Sequence, residues 1–494
     1  MAIIIENIPN ASTLINSMRS IGYDFESAVA DIIDNSISAF AKNIEISFPT
    51  DGYSNIYLHI IDDGNGMSKE ELFEAMRFGS VKDEERSKED LGRFGLGLKT
   101  ASISQCKKIT VISKKENEVS GYSWDLDLLV GEKKWNIIEL TKSEILEKMD
   151  ILNTNLITNN FTIVIWENFD TLEKDITPFK NIYDVFFDRI NQMEKHISLV
   201  FHRIIDDGLV IKINNNVVNS LDPFLSKHNK TSIKPEQVIN TKTKDNNDEK
   251  VKMQVYVLPY FKDLNPADIE KLGGRENLNK QGFYIYRNKR LIIHNTWFRI
   301  NPKSELSNNA RIRIDIPNTL DNLWSIDIKK QNAVIPSSLL SQLRMEVSDA
   351  AGKSKKLYKY KGDQQTKDGS IWNKVIDERN KTIYYKINFE SELLKSLYDD
   401  LNEKDQANVK KIINLIELSL PYRDIYNSVA EKKDINSINV QKENELLIEA
   451  YNLFHTLKKI KNLNDNQIID SICSLEPYLS ANIREKLENK IYGL

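Results

Sequence analysis

Three short stretches between residues 31 and 100 combine carboxylates, a carboxamide and glycines at spacings that chemistry can use. In Ala30-Asp31-Ile32-Ile33-Asp34-Asn35-Ser36, Asp31 and Asn35 are four apart and share one face of a helix. A carboxylate beside a carboxamide suits polarising a water and holding a hydrated magnesium ion. An acid and an amide are also commonplace on a solvated helix face, so this pair alone says little. In Ile60-Ile61-Asp62-Asp63-Gly64-Asn65-Gly66-Met67 an apolar strand delivers Asp62 into a turn. Gly64 and Gly66 let the backbone of that turn approach a flat ligand. A buried carboxylate there accepts a hydrogen bond from an exocyclic amine, although an ordinary Asp-Gly turn has the same look.

The third stretch is Gly92-Arg93-Phe94-Gly95-Leu96-Gly97-Leu98-Lys99-Thr100. Glycines feeding a helix start present free amides to phosphate, and Lys99 adds positive charge at that start. Leu98 separates Gly97 from Lys99-Thr100, so the spacing of a phosphate-binding P-loop is broken and that assignment is rejected.

These residues need positioning elements. Val29, Ile32, Ile33, Ile37 and Phe40 recur at helical spacing over 25–40. A helix at 12–19 with Ser12 as N-cap precedes it. Strands are expected at 44–48 and 56–61, then a helix from Ser68 to about Phe78 and another from Leu98 to Gln105. Further strands are expected at 108–113, 121–126 and 161–167. Helices and hairpins in this order, rather than strict alternation, predict an α+β fold with helices on one face of a mixed sheet. A second unit is expected from about residue 201, with strands at 251–258, 282–286, 291–294 and 311–316. The polar stretch 230–250 reads as a surface excursion. Lys353 to Asp368 reads as a basic linker or arm, and the remainder as helical.

The chain has 494 residues, 40% hydrophobic and 28% charged, which fits a soluble globular protein of two to four domains. Its 68 basic and 72 acidic side chains leave a net charge of −4, so nucleic-acid contact would require a local patch. Two distant cysteines, Cys106 and Cys473, exclude a disulfide scaffold, and His196 and His202 lack the upstream cysteines of a zinc site. No apolar run reaches the roughly 18 residues of a membrane span. The start, Met-Ala-Ile-Ile-Ile-Glu, has no basic n-region, and the chain is expected to be cytoplasmic, with no membrane partner.

Taken together and in order, the three stretches resemble the boxes of the GHKL (Bergerat-fold) ATPase superfamily. That group holds the large heat-shock chaperones, MutL-type mismatch repair ATPases, type II topoisomerase ATPase subunits and MORC proteins. The resemblance implies a Bergerat-fold α/β sandwich over 1–200 that binds ATP and Mg2+. It implies Asp31 as general base, Asn35 on magnesium and Asp62 on adenine. Gly64, Gly66 and Met67 would line the pocket, Gly92 to Gly97 would form the lid motif, with Gly95, Gly97 and Lys99 at the phosphates, and Phe94, Leu96 and Thr100 would join the nucleotide-binding set. The family's usual base is glutamate; Asp31 is one methylene shorter, so slow hydrolysis is expected.

Gln281 to Ile292 and Trp324 to Asn332 look like parts of the ribosomal-S5-like transducer of MORC and MutL ATPases, expected over 201–345. In those families a transducer lysine reaches the terminal phosphate; Lys330 is the first choice here, with Lys329 the alternative. A basic linker or arm at 346–385 and a helical domain at 386–494 would follow. Arg287, Lys289, Arg290, Arg311 and Arg313 are a candidate basic patch on the transducer.

The resemblance suggests an ATP-dependent homodimer that clamps or remodels double-stranded DNA or a DNA-bound nuclease or helicase partner, in a prokaryotic defence or restriction setting. A histidine kinase would need a phospho-accepting histidine before the ATP domain, but His59 is the first and lies on a strand. A heat-shock-type chaperone would carry a larger C-terminal half, and a nucleotide-gated scaffold with little hydrolysis is kept open by the short Asp31.

Overall fold

The computed structural model describes residues 10–77 (except 21 and 53), 97–150 (except 133), 152, 159–243, 247–304, 307–320, 324, 335–363, 371–377, 382–399, 401–425, 440–460, 464–473, 478 and 483–493. The chain divides into two compact units, Met1–Ser354 and Lys355–Leu494.

The first unit opens with α1 (Ala11–Arg19) and α2 (Phe25–Ser38). Asn10, not Ser12, caps α1 by accepting from the Thr13 amide. Strands β1 (Asn43–Ser47) and β2 (Tyr57–Asp62) form a hairpin, followed by α3 (Lys69–Met76). Ser68 and Glu71 make a reciprocal capping box that fixes the start of α3. Then come α4 (Gly97–Gln105), β3 (Lys108–Lys115), β4 (Glu118–Asp125), α5 (Leu126–Glu132), β5 (Ile138–Glu139), α6 (Lys142–Asp150), β6 (Phe161–Glu167), α7 (Ile182–Val200) and α8 (His202–Asp206). Strands β7 (Val210–Ile213) and β8 (Asn216–Val217) complete an eight-stranded sheet in the order β5-β4-β3-β6-β2-β1-β7-β8.

This sheet is mixed, because β7 runs parallel to β1 while the other pairs are antiparallel. Apolar residues of α2, α4 and α7 share one core with Ile44, Ile46, Leu58, Ile60, Val111, Val164 and Trp166 on one face. The opposite face carries a smaller cluster in which Ile145 of α6 meets Ile61, Ile112 and Ile163. The sheet extends beyond the boundary expected at residue 200. A helix as long as α7 returns the chain to the sheet edge, and β7 pairs there with β1.

A second sheet follows, built from β9 (Ser232–Ile233), β10 (Gln237–Lys242), β11 (Asp248–Val257), β12 (Gly282–Arg287), β13 (Arg290–Thr296) and β14 (Ala310–Ile316), with α9 (Pro266–Lys271) between β11 and β12. Its order is β10-β11-β14-β12-β13, with β9 also on β11. The stretch expected to be a surface excursion, 230–250, therefore holds β9, the edge strand β10 and the start of β11. Ile239 is the one buried residue of β10, too faint a period to read from sequence. Phe283 and Ile285 face a core shared with Leu339, Leu343 and Val347 of α10 (Ser337–Asp363). Tyr284 and Tyr286 face the other way, toward Phe224 and Leu199. The start of the expected basic arm is thus helical.

The second unit contains a hairpin, β15 (Trp372–Asp377) and β16 (Thr382–Ile387), inside the segment expected to be a linker. Helices α11 (Glu392–Asp399), α12 (Glu403–Leu418), α13 (Val440–Ile460), α14 (Asp465–Cys473) and α15 (Arg484–Tyr492) make the helical C-terminal region. Phe454, Ile468, Ile469, Ile472 and Leu487 form its small core.

Candidate nucleotide site

Helix α2 is buried along most of its length, and that burial draws its acids into the protein. Asp31 is 3% exposed. Its Oδ2 accepts from the Tyr23 hydroxyl at 3.0 Å. Its Oδ1 lies 3.7 Å from Nη2 of Arg290. Asp34, one turn on, is 1% exposed and accepts from Nε of Arg290 at 2.7 Å. Asn35, next to it, is exposed. Gly97, the first residue of α4, stands over Asp31: a Cβ there would sit 3.7 Å from Asp31 Oδ2. The helix after the glycine loop therefore begins beside the expected base.

Ser36 links this helix to the second box. Its Oγ donates to Asp62 Oδ2 at 2.8 Å, and the Gly64 amide donates to Oδ1 at 3.0 Å. Asp62 ends β2 with only 5% exposure, and burial pushes its carboxyl up to about 6 against the two hydrogen bonds that lower it. Asp63 has a different task. Its carboxylate accepts from the amides of Lys42 and Asn43 and from the Asn43 side chain, which staples the turn to β1.

The two glycines answer to the protein's own backbone. Gly66 has φ +65°, and a Cβ there would lie 1.9 Å from the Lys114 carbonyl oxygen. A Cβ on Gly64 would lie 2.8 Å from the Ala39 oxygen. Met67 follows and donates its amide to Ser113 Oγ at 2.9 Å. Ser113 Oγ also stands 3.0 Å from Thr162 Oγ1, and Thr162 is the strand partner of Asp62.

Lys99 and Thr100 lie on α4, and both are buried. Lys99 Nζ donates to the Arg77 carbonyl at 2.5 Å, at the end of α3. Burial lowers its ammonium to about 8. Gly92, Phe94, Gly95 and Leu96 lie outside the described residues, as do Lys329 and Lys330.

The expected basic patch is not a surface. Arg287 and Arg290 are 4% exposed and Arg311 is 0%. Arg311 donates to the carbonyls of Pro223 and Asn277. Arg313 pairs with Glu236 and Asp315, and exposed Lys289 with Asp207. Three of the five cations are thus buried, and the charge alternation on these strands does not mark a continuous wet face.

Residues 23–158 match the family described as "Histidine kinase-, DNA gyrase B-, and HSP90-like ATPase". That span starts at the tyrosine that holds Asp31 and takes in Asn35, Asp62 and Gly97. The chain carries a GHKL ATPase domain. It is 31% identical over 94 residues to "ATPase morc-1" of Caenorhabditis elegans, covering 19% of this chain and 11% of that protein. It is 32% identical over 130 residues to "DNA mismatch repair protein MutL" of Clostridium beijerinckii, covering 25% of this chain and 19% of that protein. The MutL of Dictyoglomus turgidum is 39% identical over 97 residues, covering 19% of this chain and 16% of that protein. The chain thus matches less than a fifth of the length of these relatives. A crystal structure described as "Crystal Structure of N terminal domain of a DNA repair protein" superposes with a TM-score of 0.41 at 16% identity, over 70% of this chain and 99% of that one.

The sequence singles out Asp31 and Asp62 as expected site residues but not the side chains that contact them, Tyr23, Arg290 and Ser36. Ser36 follows Asn35 directly, and its only signal is a hydroxyl one helical turn after the buried Ile32. Tyr23 precedes the helix, and Arg290 was placed in a patch because a charge opening an apolar strand reads as surface.

Proposed function

We propose that this GHKL domain hydrolyses ATP slowly and that the cycle drives homodimerisation to clamp or remodel double-stranded DNA or a DNA-bound partner. One observation carries the reading. Helix α2 joins a carboxylate beside the start of α4 to a second carboxylate, Asp62, buried at the end of β2. In this reading Asp62 accepts from the exocyclic amine of adenine, and Gly64, Gly66 and Met67 line the pocket.

The exposed Asn35 would hold Mg2+ together with the nucleotide's phosphates. Among the described residues no group of three acidic, histidine or cysteine side chains could hold a metal, which suits an ion that keeps several waters and borrows phosphate oxygens. Bound Mg2+ would offset phosphate charge. Asp31 would take the proton of the attacking water, giving ADP and inorganic phosphate. Gly92 to Gly97 would form the lid motif, with Gly95, Gly97 and Lys99 at the phosphates and Phe94, Leu96 and Thr100 in the nucleotide-binding set. Lys330, or Lys329, would neutralise charge developing on the transferred phosphoryl group. Asp31 is one methylene shorter than the glutamate usual in this superfamily, which favours slow turnover and keeps a nucleotide-gated scaffold as the second reading.

The second sheet, beside the ATPase core, is read as an S5-like transducer. The relatives called mismatch repair MutL support a DNA-linked role, and a defence or restriction setting remains part of the proposal. The test is ATP turnover with and without double-stranded DNA, alongside size measurement in a non-hydrolysable ATP analogue. Wild type should dimerise with the analogue, and Asp31→Ala should bind it without turnover. Lys330→Ala should lower turnover by about 100-fold or more. A monomer indifferent to nucleotide and DNA refutes the clamp, and normal turnover in Asp31→Ala removes Asp31 as base.

A further inference from the structure

Two buried carboxylates three residues apart on one helix repel each other unless a cation lies between them. Asp31 and Asp34 are such a pair, and Arg290 meets both. It comes from the second sheet, 256 residues beyond Asp34. Its delivery is rigid. Arg287 and Arg290 are paired across β12 and β13, and Asn288 and Lys289 between them both have positive φ, 48° and 68°. That geometry is the tight two-residue hairpin whose twist matches the strands, and it leaves the first residue of β13 little freedom. Underneath, the Phe201 ring centroid lies 5.7 Å from the guanidinium carbon. The side chain itself is 4% exposed.

We propose that Arg290 is a positioning residue for ATP hydrolysis, holding the Asp31 carboxylate in its working orientation from the second sheet. The inference rests on Asp31 being the base. Nε anchors the guanidinium on Asp34, and the planar fork then presents Nη2 to one Asp31 oxygen while Tyr23 holds the other. A base one methylene short has less reach to correct a wrong angle, so its orientation must come from neighbours. A misplacement of about 1 Å costs up to about 100-fold in rate. Turnover therefore requires the second sheet to be docked, even before any lysine from it reaches the phosphate.

The test separates positioning from folding in the full chain. Arg290→Met alone strands Asp34, so the double variant Asp34→Asn/Arg290→Met removes both charges. Arg290→Lys keeps a charge but cannot span two carboxylates. Melting temperature, affinity for a non-hydrolysable ATP analogue and kcat are measured for each. Both variants are expected to fold and to bind the analogue within about threefold of wild type. The kcat should fall about 10- to 100-fold in the double variant and by a smaller factor in Arg290→Lys. Wild-type kcat in the folded double variant, or in folded Arg290→Lys, overturns the proposal. So does a loss of analogue affinity as large as the loss of kcat. Normal turnover in Asp31→Asn instead overturns the base assignment beneath it.

Discussion

Replacing Asp62 by asparagine should stabilise the ligand-free chain at pH 8 while removing its recognition of nucleotide. The carboxyl is raised from 3.8 to about 6, with burial as the largest cause. That shift corresponds to about 3 kcal/mol of penalty on the ionised form. The sign follows from where the proton goes. Between about pH 4 and pH 6 the native chain holds a proton on Asp62 that the unfolded chain has released. Stability therefore falls as pH rises through that window, and the full penalty is present above it. Asparagine carries no such term. Its carbonyl can still accept from the Gly64 amide, and Ser36 can turn its hydroxyl to accept from the new amide. Urea unfolding followed by tryptophan fluorescence reads the effect, since Trp124, Trp135, Trp166, Trp297 and Trp324 all lie in the first unit. At pH 8 the variant should gain up to about 3 kcal/mol, and at pH 4.5 most of that gain should vanish. An equal gain at both pH values, or a loss at pH 8, would refute burial as the source of the shift.

Gly66 and Gly52 offer a matched comparison, with φ of +65° and +73°. Gly52→Ala meets nothing within 4 Å and should cost about 1–2 kcal/mol of backbone strain alone. Gly66→Ala adds a clash with the Lys114 carbonyl and should cost more than about 3 kcal/mol; equal losses in urea would contradict that packing. Ser102 is fully buried and accepts from Trp166 Nε1 at 2.9 Å. Ser102→Ala should cost about 1–3 kcal/mol by stranding that donor, seen as an earlier thermal midpoint.

The ATPase core was legible because its signals are local. The apolar period of α2, the strand ending at Asp62 and the Ser68–Glu71 cap can each be read within a few residues. Its supports were not legible, since they depend on distant partners. Asp62 and Asp63 are identical in sequence, yet one is buried with a raised carboxyl and the other staples the turn. Nothing near Arg290 reveals that it answers two acids on α2. The edge strand β10 escaped for a different reason: one buried residue in six leaves no pattern.

The parallel pairing of β7 with β1 decides where this chain can be cut. The family match ends at residue 158, and the sequence suggested a boundary at 200. A fragment ending there would lose β7 and β8 and with them Ile211, Ile213 and Val218 from the core. Strand β1 would be left with a row of unpaired backbone amides and carbonyls, an open template for another chain. Such a fragment would tend to self-associate through that edge, and its oligomers would mimic the nucleotide-driven dimer proposed above. A faithful ATPase fragment must extend past Val218.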